Sequence, residues 1–429
     1  MIDGKKMKNR MYLMLLWWLW FSCWYIGVVV SFSVSSLKSS FSKEVYQWLE
    51  PHIIETNKLS IQQQHMNMQQ LKDEVWELTN VENPKYSICL HLLPTPTSLE
   101  SIYPSHHCQQ LMKDYHKKMI HLHQDVWIRK QDIVQCRLLH QLDLISRDNH
   151  QQQMKKKKRI YARKTTVQRI NATLATTFLQ KHHLWGSPTR SAKYYYGLFS
   201  TSLDDTQEEL VAVASFSSRR KVHRQNQVYK SHELIRYCSE SHTSVIGGIS
   251  KLCSHFIQTI QPDDIITVID RDWGDGSGWH SLGFQTVSIM DPLPMVVQKY
   301  NDFGIRQHLI GAGITTNHTN STNQYVNQDR LGLSQSILDQ LNTKDNYEDV
   351  IQCLHQHDLY PIYDTGVERL IKIITPHSNQ NTTTDELWND SKPSYAKSYY
   401  SPNQGISILL QNCRSNHNHI HNNHYKCIK

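Results

Sequence analysis

Between Ile160 and Phe284 the chain runs through an ordered series of segments that leaves few folds open. Tyr196-Gly197-Leu198-Phe199, Glu209-Leu210-Val211-Ala212-Val213-Ala214-Ser215-Phe216 and Glu233-Leu234-Ile235-Arg236-Tyr237-Cys238 are short apolar or β-branched runs of strand length. Ser244-Val245-Ile246-Gly247-Gly248-Ile249-Ser250-Lys251-Leu252 then places a diglycine at the head of an amphipathic helix. A further run, Ile265 to Ile269, leads into a loop that closes on Leu282-Gly283-Phe284. Strands alternating with a helix predict a compact α/β unit, not a bundle or a sandwich.

The 429 residues allow two or three domains, and an ordinary domain can bury a self-sufficient core. Hydrophobic residues make up 39%, which fits a globular chain with much polar padding. The net charge of +8 favours anionic partners, either nucleic acid or a membrane surface. The 9 Cys show no paired short spacing, so neither a zinc ribbon nor a dense disulfide framework is read. Cys238 on a strand and Cys253 on a helix's apolar side read as buried free thiols.

At the amino terminus Lys5, Lys6, Lys8 and Arg10 precede Met11 to Val30, interrupted only by Ser22 and Gly27. As a helix this run can cross a hydrocarbon layer of roughly 30 Å. Its length exceeds the apolar part of a cleaved signal peptide, roughly 7–15 residues. The expectation is a single-pass signal-anchor in the secretory pathway, basic end cytoplasmic, with Met11–Val30 as the membrane partner. The Ser-rich, acid-free stretch Ser31 to Lys43 supports the alternative of a bipartite plastid presequence.

Val45, Trp48, Leu49 and Ile53 give helical spacing in a Gln- and His-rich region that extends to about Gln70. Gln109 to Leu144 reads as helix–strand–helix, with Met119-Ile120-His121-Leu122 as the strand. Asp132 is placed to cap the last helix, over an apolar stripe of Ile133, Val134, Leu138, Leu139 and Leu142. Gln151-Gln152-Gln153-Met154 and the run Lys155, Lys156, Lys157, Lys158 and Arg159 form a basic linker. Arg163 and Lys164 follow just beyond it. Such a run is either a solvated loop or a nonspecific phosphate contact.

The ordered segments from Ile160, with Phe178-Leu179-Gln180-Lys181-His182-His183-Leu184-Trp185-Gly186 upstream of the strands, resemble the C-terminal, GNAT-like domain of phage-type homing endonucleases. Met119 to Val134 is similar to the end of the nuclease half of those enzymes, which is related to very-short-patch repair enzymes. In that half a strand leads into an acidic cluster, a Trp and a Lys. Here Gln124 and Val126 stand where relatives commonly carry acids, and the upstream Asp- and Glu-bearing strands are missing. Metal-assisted phosphodiester cleavage needs carboxylates to hold the ion and its water. Only Asp114 and Asp125 remain as remnants, so the resemblance implies a decayed nuclease half. The likeness resumes at Leu359-Tyr360-Pro361-Ile362-Tyr363-Asp364-Thr365-Gly366, read as a terminal strand that completes the sheet.

If the resemblance extends to acyl transfer, the cofactor is acetyl-CoA and its pyrophosphate lies against Gly247, Gly248 and Ser250 at a helix start. Ser244 and Ile249 depart from the acyltransferase loop pattern, and a plain tight turn between strand and helix fits the diglycine as well. Glu233, Asp270 and His280 are the candidates for proton transfer. Asp270, Arg271 and Trp273 follow a strand, at the end where α/β sheets often place working side chains, and an Asp–Arg pair holding the loop is the competing role. Trp279 stands three residues before Leu282, where the family has an aromatic. The tail's Cys413, His417, His419, His421, His424 and Cys427 match no zinc spacing, and no metal site is assigned.

The expected organisation is a targeting region over 1–43, a degenerate nuclease-like region over 44–150 and a basic linker over 151–159. A GNAT-like mixed sheet flanked by helices follows over 160–375, with a surface insertion near 305–330, and then an Asn/His-rich disordered tail over 376–429. The leading function is a non-catalytic or nucleic-acid-associated module derived from a homing-endonuclease-like ancestor. An acyl-CoA-dependent N-acyltransferase is the rival, and a metal-dependent DNA endonuclease the third reading.

Overall fold

The structure is a computed structural model that describes residues 39–55, 57–63, 74–95, 108, 111, 118–144, 158–188, 192–201, 208–224, 227–274, 276–290, 294–298, 306–308 and 333–374. Met11–Val30, Asp114, Lys155–Lys157, most of the 305–330 segment and the tail lie outside these residues.

Helix α1 (Ser40–Glu50) starts because the Ser39 hydroxyl accepts the Ser42 amide at 3.0 Å, and Phe41, Val45 and Leu49 then line one buried face. The helical spacing read toward Gln70 stops much sooner. Pro51 cannot donate to a continuing helix, a single π-turn follows over Pro51–Glu55, and the chain becomes strand at β1 (Leu59–Gln63). With β2 (Glu74–Asn80), β3 (Ser87–Leu93) and β4 (Lys118–His123) it forms a sheet in the order β1-β2-β3-β4. The first two pairings are antiparallel and β3/β4 is parallel. Continuous apolar runs in β3 and β4 suit strands covered on both faces. One face packs Leu90, Leu92, Ile120 and Leu122 against α1 and against α2 (Gln124–Gln141), which brings Trp127, Val134 and Leu138.

Helix α2 leaves β4 without a loop. Asp132, expected at a helix start, lies inside it, two residues after Lys130 breaks the helical dihedrals at φ −132 and ψ 33.

The larger unit holds β5 (Lys158–Tyr161), β6 (Thr165–Arg169), α3 (Ala172–His182), β7 (Tyr194–Thr201), β8 (Glu208–Phe216), β9 (Arg220–Arg224), β10 (Gln227–Ser239), β11 (Thr243–Ile246), α4 (Gly248–Ile260) and β12 (Asp264–Asp270). After α5 (Ser277–His280) come β13 (Gln285–Met290), β14 (Pro294–Gln298), β15 (Gln307–His308), α6 (Gln335–Asn342), α7 (Tyr347–Gln356), β16 (Leu359–Tyr363) and β17 (Val367–Ile373). Its main sheet runs β13-β17-β12-β10-β8-β7-β6, with β9 hairpinned onto β10. All pairings are antiparallel except β10 with β12, where Ser231–Glu233 face Asp264–Ile266 in parallel. The connection between those two strands carries α4, whose Leu252 and Phe256 fill the core with Phe216, Leu234, Ile265 and Phe284.

The chain is therefore a mixed α/β protein. Among the described residues no helix is long and apolar enough to cross a membrane. The two units share packing, because Leu184 and Trp273 insert into the first core.

Candidate functional site

Where β4 of the first unit meets β12 of the second, charged side chains are buried together. Asp125 sits in the first turn of α2, where the helix N-terminus favours an anion. Its carboxylate accepts two bonds from Arg306, from Nε at 2.6 Å and Nη2 at 2.9 Å, a bidentate fork with both side chains below a tenth exposed. The guanidinium also lies over the Trp185 ring, 5.2 Å from its centre. Burial works against the Asp125 carboxylate, but the Arg306 charge and its hydrogen bonds prevail and hold the carboxyl below its usual range.

Trp185 donates from Nε1 to Asp270 Oδ2 at 2.9 Å, and Asp270 Oδ1 accepts the Asp272 amide at 3.0 Å. Asp272 Oδ1 accepts the Thr365 amide at 3.0 Å and its hydroxyl at 2.8 Å, while Oδ2 stands 3.4 Å from His123 Nε2. Arg271 turns away and donates to the Thr365 carbonyl at 2.9 Å. Burial, with the charges of Asp272 and Asp364, pushes Asp270 up to about 7. Burial opposes ionisation of Asp272 too, but His123, His121 and Arg306 outweigh it and bring that carboxyl down to about 2. The pair thus splits its roles: Asp272 is a fixed anion, and Asp270 holds or releases a proton near neutral pH.

The residues singled out from sequence are scattered. Asp270 is in this network. Glu233 forms an ion pair with Arg220, and its amide donates to the Ser217 hydroxyl at 2.9 Å. His280 Nδ1 contacts the Phe284 carbonyl at 3.1 Å, and its Nε2 lies 3.8 Å from Glu368. Gly247 caps α4 with φ 76, a conformation that suits glycine. A Cβ on Gly248 would stand 2.7 Å from the Tyr237 hydroxyl and 3.0 Å from Val245, and the Ile249 amide donates to that same hydroxyl. Tyr237 therefore occupies the head of α4 from the sheet side, where the diglycine serves as a tight turn. Ser250 is exposed, and Lys251 reaches back to the Ala162 and Thr165 carbonyls.

Arg159, Arg163 and Lys164 are exposed around β5, with the Arg163 guanidinium 4.9 Å above the exposed Tyr161 ring. Arg219 and Lys221 are exposed at β9, whereas Arg220 is taken by Glu233. Divalent-metal chemistry of the nuclease kind does not fit Asp125, whose two oxygens are both engaged by Arg306.

Sequence reasoning missed Arg306, which sits in the stretch read as an insertion, and the partners Asp272, His123 and Thr365. The motifs Asp270-Arg271-Asp272 and Asp364-Thr365-Gly366 were a signal for Asp272 and Thr365, since short Asp/Thr turns beside strand ends often gather polar groups. Compared with known proteins, the chain matches no family model and no curated protein.

Proposed function

We propose that this chain is a non-catalytic, nucleic-acid-associated module, built on a GNAT-like domain and derived from a homing-endonuclease-like ancestor. The observation that carries the reading is the Asp125–Arg306 fork. Of the two remnant acids, Asp125 is the one among the described residues; it joins the two units and is not presented to an ion or a phosphodiester. The GNAT-like part of the reading is supported by the parallel β10/β12 pair, the register shift in β10 between Leu234 and Arg236, and the helix α4 that connects them. Support for the partner comes from the exposed Arg159, Arg163 and Lys164 beside Tyr161, a basic surface with a ring on which a base can stack. Met11–Val30 serves in this reading as the membrane anchor, with a plastid presequence as its alternative.

The test is a gel-shift titration of residues 39–429 with duplex DNA across a salt series. Binding should weaken with salt at a slope of about −0.9 per phosphate neutralised. Arg159→Ala, Arg163→Ala and Lys164→Ala together should flatten that slope. No shift at low salt, or an unchanged slope in the triple variant, removes nucleic acid as the partner. Cleavage of the DNA with magnesium or manganese overturns the non-catalytic part.

A further inference from the structure

A second buried cluster lies on the other face of the first sheet. In the parallel β3/β4 pair His91 is in register with His121, and strand alternation points both rings to the same side as Cys89 and Met119. Val75, Cys89, Leu111 and Met119 form a small apolar cluster on that side. The two Nδ1 atoms are 3.0 Å apart, and the rings meet edge-on at 5.2 Å. Cys108, from the stretch between β3 and β4, joins them. His91, Cys108 and His121 are 0%, 1% and 0% exposed, and one ligand atom from each falls within a 4.8 Å span.

We propose that His91, Cys108 and His121 form a metal site that takes a soft or borderline d10 cation, zinc(II) foremost. Two imidazoles and a thiolate are the donor types that zinc selects, whereas magnesium and calcium select oxygen. The geometry is close to what an ion demands. With Zn–N bonds of about 2.0–2.1 Å, two tetrahedral nitrogens stand about 3.3 Å apart, so the imidazoles need to open by only a few tenths of an ångström. The thiolate must close in by about 1 Å at most to reach a Zn–S distance of about 2.3 Å. The His121 amide donates to the Asp272 carbonyl at 2.9 Å, which fixes the β4 backbone beneath its ring.

The position also assigns a role. Cys108 and Leu111, one helical turn apart, are the described residues through which their segment touches the sheet, and Leu111 contributes to only a small apolar cluster. An ion held by two strand residues and Cys108 ties Cys108 to β3 and β4. The site is structural, and it stands whether or not the protein binds nucleic acid.

The experiment uses the full chain, purified without a histidine tag, with zinc measured by mass spectrometry and cobalt(II) exchanged for it. One ion per chain and a thiolate-to-cobalt charge-transfer band are expected, and both should vanish in Cys108→Ser. No metal in the wild type, or an unchanged band in Cys108→Ser, overturns the proposal, and the latter places the ion on tail ligands such as Cys413 or Cys427. If Cys108→Ser does not fold, maleimide labelling of the wild type decides. Stripping the metal with a strong chelator should raise labelling of Cys108, mapped by peptide mass, and equal labelling with and without zinc overturns the site.

Discussion

Arg306→Met is the perturbation that most directly tests how the two units are joined. Both partners of the Asp125–Arg306 fork are buried, with side chains 2% and 7% exposed, so neither can recover its lost partner from water. Removing one member of such a pair costs about 3–5 kcal/mol, chiefly because the other is left as an uncompensated buried charge. The structure further predicts an asymmetry. Arg306 also faces Asp270 and Asp272, so its loss strands three carboxylates. Asp125→Asn leaves Arg306 with two of its anions, and should cost less than Arg306→Met.

The pH dependence follows from the directions. Asp125 is depressed in the folded protein, so its pairing gives stability that is present above about pH 4 and lost as pH falls through its folded value. In Arg306→Met burial acts on Asp125 without the counter-charge, its carboxyl rises, and the variant loses stability as pH rises. The gap between wild type and variant should therefore widen from about pH 4 to about pH 8. Urea unfolding at several pH values measures this, and a thermal midpoint lower by about 2–4 °C per kcal/mol is a second readout. A penalty below about 1 kcal/mol at neutral pH, or one that exceeds neither Asp125→Asn nor its own value at acid pH, refutes the argument.

Two further outcomes are expected. Gly248→Ala should cost about 1–3 kcal/mol by overpacking against Tyr237 and Val245, and Tyr237→Phe should relieve part of it, since the hydroxyl is the nearest atom; a double-variant cycle showing no coupling removes Tyr237 from the head of α4. Asp270, raised to about 7, gives stability that is complete below its unfolded value and lost as pH rises through its folded one. Wild type should lose stability on the order of 1 kcal/mol as pH rises from about 6 to about 8, a loss absent in Asp270→Asn; parallel pH profiles for the two proteins would show that Asp270 does not hold the proton.

Much of the second unit was legible because its signals are local. The runs at Glu209–Phe216 and Glu233–Cys238 became strands, and Gly247-Gly248 became the αL cap of a helix whose Leu252 and Phe256 are buried. Trp279, three residues ahead of Leu282, packs edge-on against Phe284 at 5.4 Å. The first unit was less legible. Helical spacing through Ile53 ran past Pro51, and β1 was hidden because two of its five residues are Gln. Asp132 looked like a cap, but capping requires extended dihedrals at the cap itself, and here α2 had begun at the end of β4.

The site residues show why local patterns fail there. His91 and His121 are separated by 30 positions, and what unites them is a parallel register that neither strand's periodicity encodes. Arg306 is 181 positions from Asp125. A single arginine between Ile305 and Gln307 carries no sign that it will be buried. Burial follows only once a carboxylate in a helix's first turn is closed off by a second unit. The chemistry readable from sequence was therefore that of each unit alone. The buried charges arise where β4 and β12 meet, so substitutions at Asp125 or Arg306 should disturb the joining of the units before they disturb either core.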